Sequence, residues 1–179
     1  MMNIACKLPV HFFSDRIEIC DFNLLVEDEK KQVVNAVTNI LSPNVVKALP
    51  DDWQAITSIE KAQSWLQLRL DESELLVLTL KATNELIGFL LLSRFDKKQG
   101  VSDGIHIGYL LGEQYWGQGY ASELLSAFVD FTHQSDNYPR LIAGVETNNI
   151  ASRKVLEKAG FIISENETSA EGNIFYELQ

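Results

Sequence analysis

The stretch from Ile105 to His133 constrains this 179-residue chain most. Ile105 to Leu111 is a short apolar run, which at that length reads as a buried strand. It contains Gly108, and a glycine inside a strand often marks a bulge or a close backbone approach. Gln114-Tyr115-Trp116-Gly117-Gln118-Gly119 follows as a glycine-bearing turn. From Tyr120 to about His133, Ala121, Leu124, Leu125, Phe128 and Val129 recur at the helical period. The first N–H groups of a helix have no internal partner and lie at the positive end of its dipole. Glycines let a ligand approach the backbone closely. A strand, a glycine turn and a helix in this order therefore offer a seat for phosphate or pyrophosphate. A plain strand-to-helix turn needs no ligand, and that reading stays open on these residues alone. A Rossmann dinucleotide site fits less well. Ser122 stands where the third small residue of G-x-G-x-x-G/A belongs, and the chain that follows is too short for the usual continuation. No Gly-Lys-Ser/Thr follows, which excludes a P-loop.

The rest of the chain alternates between strand and helix periods. Arg16-Ile17-Glu18-Ile19 alternates like a short strand. Glu27 to Leu41 reads as a helix with Val33, Val34, Val37, Ile40 and Leu41 inward, stopped by Ser42-Pro43-Asn44. Thr57 or Ser58 caps a second helix with Ile59, Ala62, Trp65, Leu66 and Leu70 as its apolar stripe. Leu75 to Leu80 and Leu86 to Leu92 form a hairpin of buried strands around Ala82-Thr83-Asn84-Glu85. Asp96 to Gly104 is a polar loop. Leu141 to Glu146 is a strand, Asn149 or Asn148 caps a helix ending at Gly160, and Phe161–Ile163 and Ile174–Leu178 are closing strands. The expected fold is α/β of the α+β kind, one mixed sheet of about seven strands with about four helices. No linker divides it, so residues 1–179 are expected to form a single domain.

Charge and cysteines narrow the function. With 15 Lys and Arg against 25 Asp and Glu, the net charge is 15 − 25 = −10. That argues against nucleic acid, which needs a basic surface, and favours a cationic partner if the acidity has a role at all. No apolar run spans a bilayer, and Lys7, Pro9 and His11 interrupt the first residues, so a cytoplasmic protein without a membrane partner is expected. Cys6 and Cys20 are expected to be reduced thiols, and no metal-ligand cluster is visible.

Gln114-x-x-Gly117-x-Gly119 resembles the acyl-CoA pyrophosphate loop of the GCN5-related N-acetyltransferase (GNAT) superfamily. Ile105 to Leu110 and Tyr115 to Ala121 together resemble its RimJ/RimL-type branch, which includes enzymes acetylating ribosomal-protein N-termini. Asn149-Ile150-Ala151-Ser152 through Ala159-Gly160-Phe161 is similar to the family's N-x-x-S…GF helix. The resemblance runs from about Arg16 to Leu178. It implies splayed central strands at Ile105–Leu111 and Leu141–Glu146, with the pantetheine arm of acetyl-CoA in the wedge. The backbone of Tyr109, Leu110 and Leu111 would pair with that arm as an added strand does. The amides of Gln114, Tyr115, Trp116, Gly117, Gln118 and Gly119, and the helix start at Tyr120 and Ala121, would take the pyrophosphate. Asn149 would cap its helix and touch pantetheine.

The family's usual acid, a tyrosine further along the last helix, is replaced here by Leu156. By resemblance Ser152 would instead protonate the departing thiolate, a role a small hydroxyl can fill. A local first-turn backbone bond is the competing role for Ser152. His106 stands where many relatives carry Glu, and either it or Glu146 would be the general base. Both also fit purely structural roles. The implied reaction is acetyl transfer from acetyl-CoA, without metal, to an amine-bearing acceptor, by a monomer or homodimer. A catalytically inactive acyl-CoA-binding module is the alternative. Since CoA is itself anionic, local amides rather than net charge would have to hold it.

Overall fold

The computed structural model describes residues 10–47, 49–95, 104–134, 140–164 and 172–178. The expected Asp96–Gly104 loop, except for Gly104, and Cys6 lie outside them. The strands are β1 (His11–Phe13), β2 (Ile17–Asp21), β3 (Glu74–Leu80), β4 (Leu86–Phe95), β5 (Gly104–Leu111), β6 (Arg140–Glu146), β7 (Ile162–Ile163) and β8 (Asn173–Leu178). The helices are α1 (Glu27–Ile40), α2 (Pro43–Val46), α3 (Ile59–Glu72), α4 (Tyr120–His133) and α5 (Ile150–Lys158).

The strands form one 8-stranded sheet in the order β1-β2-β3-β4-β5-β6-β8-β7. Among the described residues, only β5 and β6 pair in parallel; every other neighbouring pair is antiparallel. The sheet thus exceeds the expected strand count by β1. That strand escapes a periodicity reading because it turns only Phe12 inward, with His11 and Phe13 exposed. The helix count also rises, by α2. Ser42-Pro43-Asn44 does end α1, yet Ser42 then caps a new turn through the Val45 N–H, with Pro43 in its first position.

Helices cover both faces, which is why the central strands are almost continuously apolar. On β3, Leu76 and Leu78 face a core shared with Leu124, Phe128 and Leu156 of α4 and α5. Leu75 and Val77 face the opposite core, with Val33, Val37, Ala62 and Trp65 of α1 and α3. Cys20 is a buried free thiol. Burial, aided by Glu18, Asp21 and Glu29, pushes its pKa up to about 11, so it stays protonated and inert. Among the described residues, no helix is long and apolar enough to cross a membrane.

Gly88 lets β4 lie close against β5. A Cβ there would stand 2.1 Å from the Leu110 carbonyl oxygen and 2.8 Å from a Leu111 methyl. Gly88→Val is expected to destabilise the chain by about 1–3 kcal/mol, read as a lowered denaturation midpoint, because β5 must move to admit it.

Two carboxylates tie distant segments together. Glu177 accepts from Arg140 Nη2 at 2.7 Å, and that bonding chiefly holds its pKa below the usual range. For Glu123, burial pushes upward, but bonds from Ser14 and Arg16 together with the Arg16 charge outweigh it, so its pKa is also lowered. Groups depressed in the folded state stabilise it above their unfolded value and lose that contribution as pH falls through the folded one. The melting temperature is therefore expected to fall as pH drops below about 4.5. Thermal scans at stepped pH check this, and Glu177→Gln should flatten the decline.

Candidate active site

The site begins where β5 and β6 part. They pair at Gly104↔Arg140, Ile105↔Leu141 and His106↔Ile142, and no further. Past that point β5 stays with β4 as far as Leu111, and β6 stays with β8 as far as Glu146. Each strand keeps one neighbour and releases the other. The edge of β5 beyond His106 therefore presents backbone groups that β6 does not take up. The expected wedge is present, with His106 at its vertex.

A cleft runs through the wedge as two joined cavities. The first, about 500 Å³, is lined by Tyr109, Leu110 and Leu111 of β5, by Tyr115, Trp116, Gly117 and Gly119 of the turn, and by Tyr120 and Ala121 of α4. The second, about 350 Å³, is lined by His106, Glu146, Arg69, Glu72 and Trp53 among others. Tyr109, Leu110, Asn149 and Ser152 line both, so they stand at the junction. Gln114 and Gln118 line neither cavity. Instead, the Gln118 side-chain amide donates to the Gln114 carbonyl at 2.7 Å and closes the turn on itself.

The turn is held from several sides. Trp116 Nε1 donates to the Leu111 carbonyl at 2.9 Å. Glu113 accepts from Asn44 Nδ2 at 2.8 Å and from Ser42 Oγ at 3.2 Å, which docks α2 beside it. Gly117 and Gly119 have φ of +71° and +84°, the left-handed region that side chains disfavour. The N–H groups from Gly117 through Ser122 find no acceptor among the described residues. A row of free amides at the start of a 14-residue helix suits a pyrophosphate.

At the junction, Asn149 Oδ1 accepts from the Ser152 N–H at 3.1 Å, so Asn149 rather than Asn148 caps α5. That bond brings Ser152 into the cleft. Its Oγ lies 2.8 Å from the Tyr109 hydroxyl. Burial pushes the Tyr109 pKa up to about 12, against a smaller lowering by Ser152, so the phenol keeps its proton at neutral pH. Leu156, where the usual tyrosine would sit, is wholly buried in the core. The tyrosine side chain beside Ser152 comes from β5 instead. Sequence reasoning assigned Tyr109 only a backbone role, because its approach to Ser152 spans 43 positions and no local pattern reveals it.

His106 packs on Phe95 with ring centroids 4.7 Å apart, and meets the more distant Phe175 edge-on at 6.4 Å. Glu146 ends β6 and lines the same cavity as His106. Arg69, 4% exposed, lies with its guanidinium carbon 4.7 Å from the Trp53 ring centre and is matched by Asp52 at 2.7 Å and Glu72 at 3.1 Å. Arg69, Glu72 and Glu146 all line this cavity, two carboxylates to one guanidinium, which leaves this end of the cleft acidic. Among the described residues, no group of His, Cys, Asp and Glu could hold a metal ion.

The sheet is thus parted at its parallel pair, with free amides on one side of the gap and a hydroxyl pair at its centre. The chain belongs to the GNAT acetyltransferase family: residues 26–162 match the model described as an acetyltransferase (GNAT) domain. It is 31% identical over 110 residues to the uncharacterized N-acetyltransferase p20 of Bacillus licheniformis, covering 59% of this chain and 60% of that protein. The match thus spans about three fifths of that relative's length. It is 26% identical over 152 residues to the uncharacterized N-acetyltransferase YnaD of Bacillus subtilis, covering 84% of this chain and 82% of that one. An acetyltransferase of the GNAT family from Bacillus anthracis shares the fold with a TM-score of 0.72 at 20% identity, over 94% of this chain and 98% of that one. RimL, the ribosomal L7/L12 α-N-protein acetyltransferase in complex with coenzyme A, shares it with a TM-score of 0.68 at 19% identity, over 92% and 94%.

Proposed function

We propose that this chain moves the acetyl group of acetyl-CoA to a primary amine, on a protein N-terminus or a small molecule, by direct attack in a ternary complex. The observation that carries this reading is the continuous cleft. Free turn amides lie at one end, an acidic wall lies at the other, and the Ser152–Tyr109 hydroxyl pair sits between them.

The amine nitrogen bonds to the thioester carbonyl carbon, the carbon–sulfur bond breaks, and CoA leaves as a thiolate that takes up a proton. The chain's part is to position, to donate and to accept. Amides from Gly117 to Ala121 hold the pyrophosphate, and the open edge of β5 at Tyr109 to Leu111 holds the pantetheine arm. Backbone N–H groups in the wedge stabilise the oxyanion. In the 2.8 Å pair of Tyr109 and Ser152 either hydroxyl can donate, and with Tyr109 as the donor the serine hydrogen is free to turn to the sulfur. His106 or Glu146 takes the amine proton, directly or through water.

An α-amine, with a pKa of ~7.7–8.0, gives up its proton more readily than Lys at ~10.4. The neighbour RimL acts on the α-amine of a ribosomal protein. A protein α-amine is thus the first acceptor to try, and the acidic wall at Glu72 and Glu146 suits a cationic one. Residues 1–179 act as one domain in this reading.

The test is CoA release with a panel of peptide N-termini, polyamines, amino acids and aminoglycosides, alongside calorimetric acetyl-CoA binding. Turnover with any of these amines supports the reading. Binding with no turnover across the panel favours the inactive acyl-CoA module, and no binding overturns both.

A further inference from the structure

We infer that Arg16 is a positioning residue of the pyrophosphate site, acting through the Gln118–Gly119 peptide; this rests on the cofactor reading above. Arg16 lies just before β2, 102 positions from the turn it touches. Its Nη2 donates to the Gln118 carbonyl at 3.1 Å, and its Nε to Glu123 Oε2 at 2.7 Å. Its guanidinium lies 4.2 Å from the centre of the Tyr120 ring. Glu123, in the first turn of α4, also accepts the Arg16 backbone N–H and the Ser14 hydroxyl, each at 2.7 Å.

The guanidinium charge is matched by Glu123, so what Arg16 adds is orientation. All described peptide bonds are trans, and in a trans peptide the C=O and the following N–H point in opposite directions. Anchoring the Gln118 carbonyl on Arg16 therefore aims the Gly119 N–H the other way, into the cavity that Gly119 lines. A peptide leading into a left-handed glycine is otherwise free to turn over. Holding it before the ligand arrives removes that ordering cost from binding. The task needs a forked cation, because one arm grips the carboxylate while the other grips the carbonyl.

Protein-detected NMR titration of the full chain with acetyl-CoA and with S-acetylpantetheine, which lacks the pyrophosphate, tests this. Wild type should bind acetyl-CoA far more tightly. Arg16→Gln is expected to weaken acetyl-CoA about tenfold while leaving S-acetylpantetheine within about twofold. Arg16→Lys keeps a cation for Glu123 but cannot serve the carbonyl at once, and it should show the same selective loss. Equal losses for both ligands, or no loss, overturn the role of Arg16. A wild type that shows no preference for acetyl-CoA instead overturns the cofactor reading itself.

Discussion

Gly119→Val is expected to weaken acetyl-CoA binding by about a hundredfold, equivalent to about two charge-assisted amide–phosphate bonds. The φ of +84° at Gly119 is the reason. A β-branched residue is strained in that region, so the backbone would swing toward negative φ and carry the neighbouring amides out of line. The site is not crowded: a Cβ would meet only Arg16 Nη2, at 3.5 Å. The strain is thus conformational, and the fold should survive it. Calorimetry with acetyl-CoA, beside a melting curve, checks both halves. Affinity within about threefold of wild type would show that the turn amides do not hold the pyrophosphate.

Ser152→Ala is expected to lower turnover by about a hundredfold with acetyl-CoA affinity nearly unchanged, the pattern of a group used only in the transition state. Tyr109→Phe should cost about tenfold, because it removes the hydrogen-bond partner that orients the Ser152 hydroxyl at 2.8 Å. The two act as a unit, so the double variant should be no slower than Ser152→Ala alone. Single-turnover acetyl transfer measures all three. Additive losses would mean that Tyr109 acts independently of Ser152.

Much of this site is legible in the chain, because its parts are local. Gly117 and Gly119 precede a helical period directly, and Asn149 caps the helix that carries Ser152 three positions later. Backbone amides need no particular side chain, so a turn and a helix start suffice to forecast them. The strands β3 and β4 are equally plain, since burial on both faces leaves runs such as Leu75–Leu78 and Phe89–Leu92 wholly apolar. β1 is less legible, since a three-residue strand turning a single side chain inward has no measurable period.

What the sequence determines by itself is the kind of chain this is: a mixed sheet under helices, with a glycine turn at Gln114–Gly119 that opens a helix. Those features depend on periodicity, caps and glycines within a few residues of one another. Only the tertiary structure decides that β5 and β6 part after His106, that Tyr109 reaches Ser152, and that Arg16 grips the Gln118 carbonyl. Each of these contacts is made between elements distant in the chain, where side-chain direction depends on packing rather than on neighbours in sequence. The net charge of −10 shows the same division. Composition states that the chain is acidic, but only the fold puts Glu72 and Glu146 on one side of the cleft and the unpaired amides on the other.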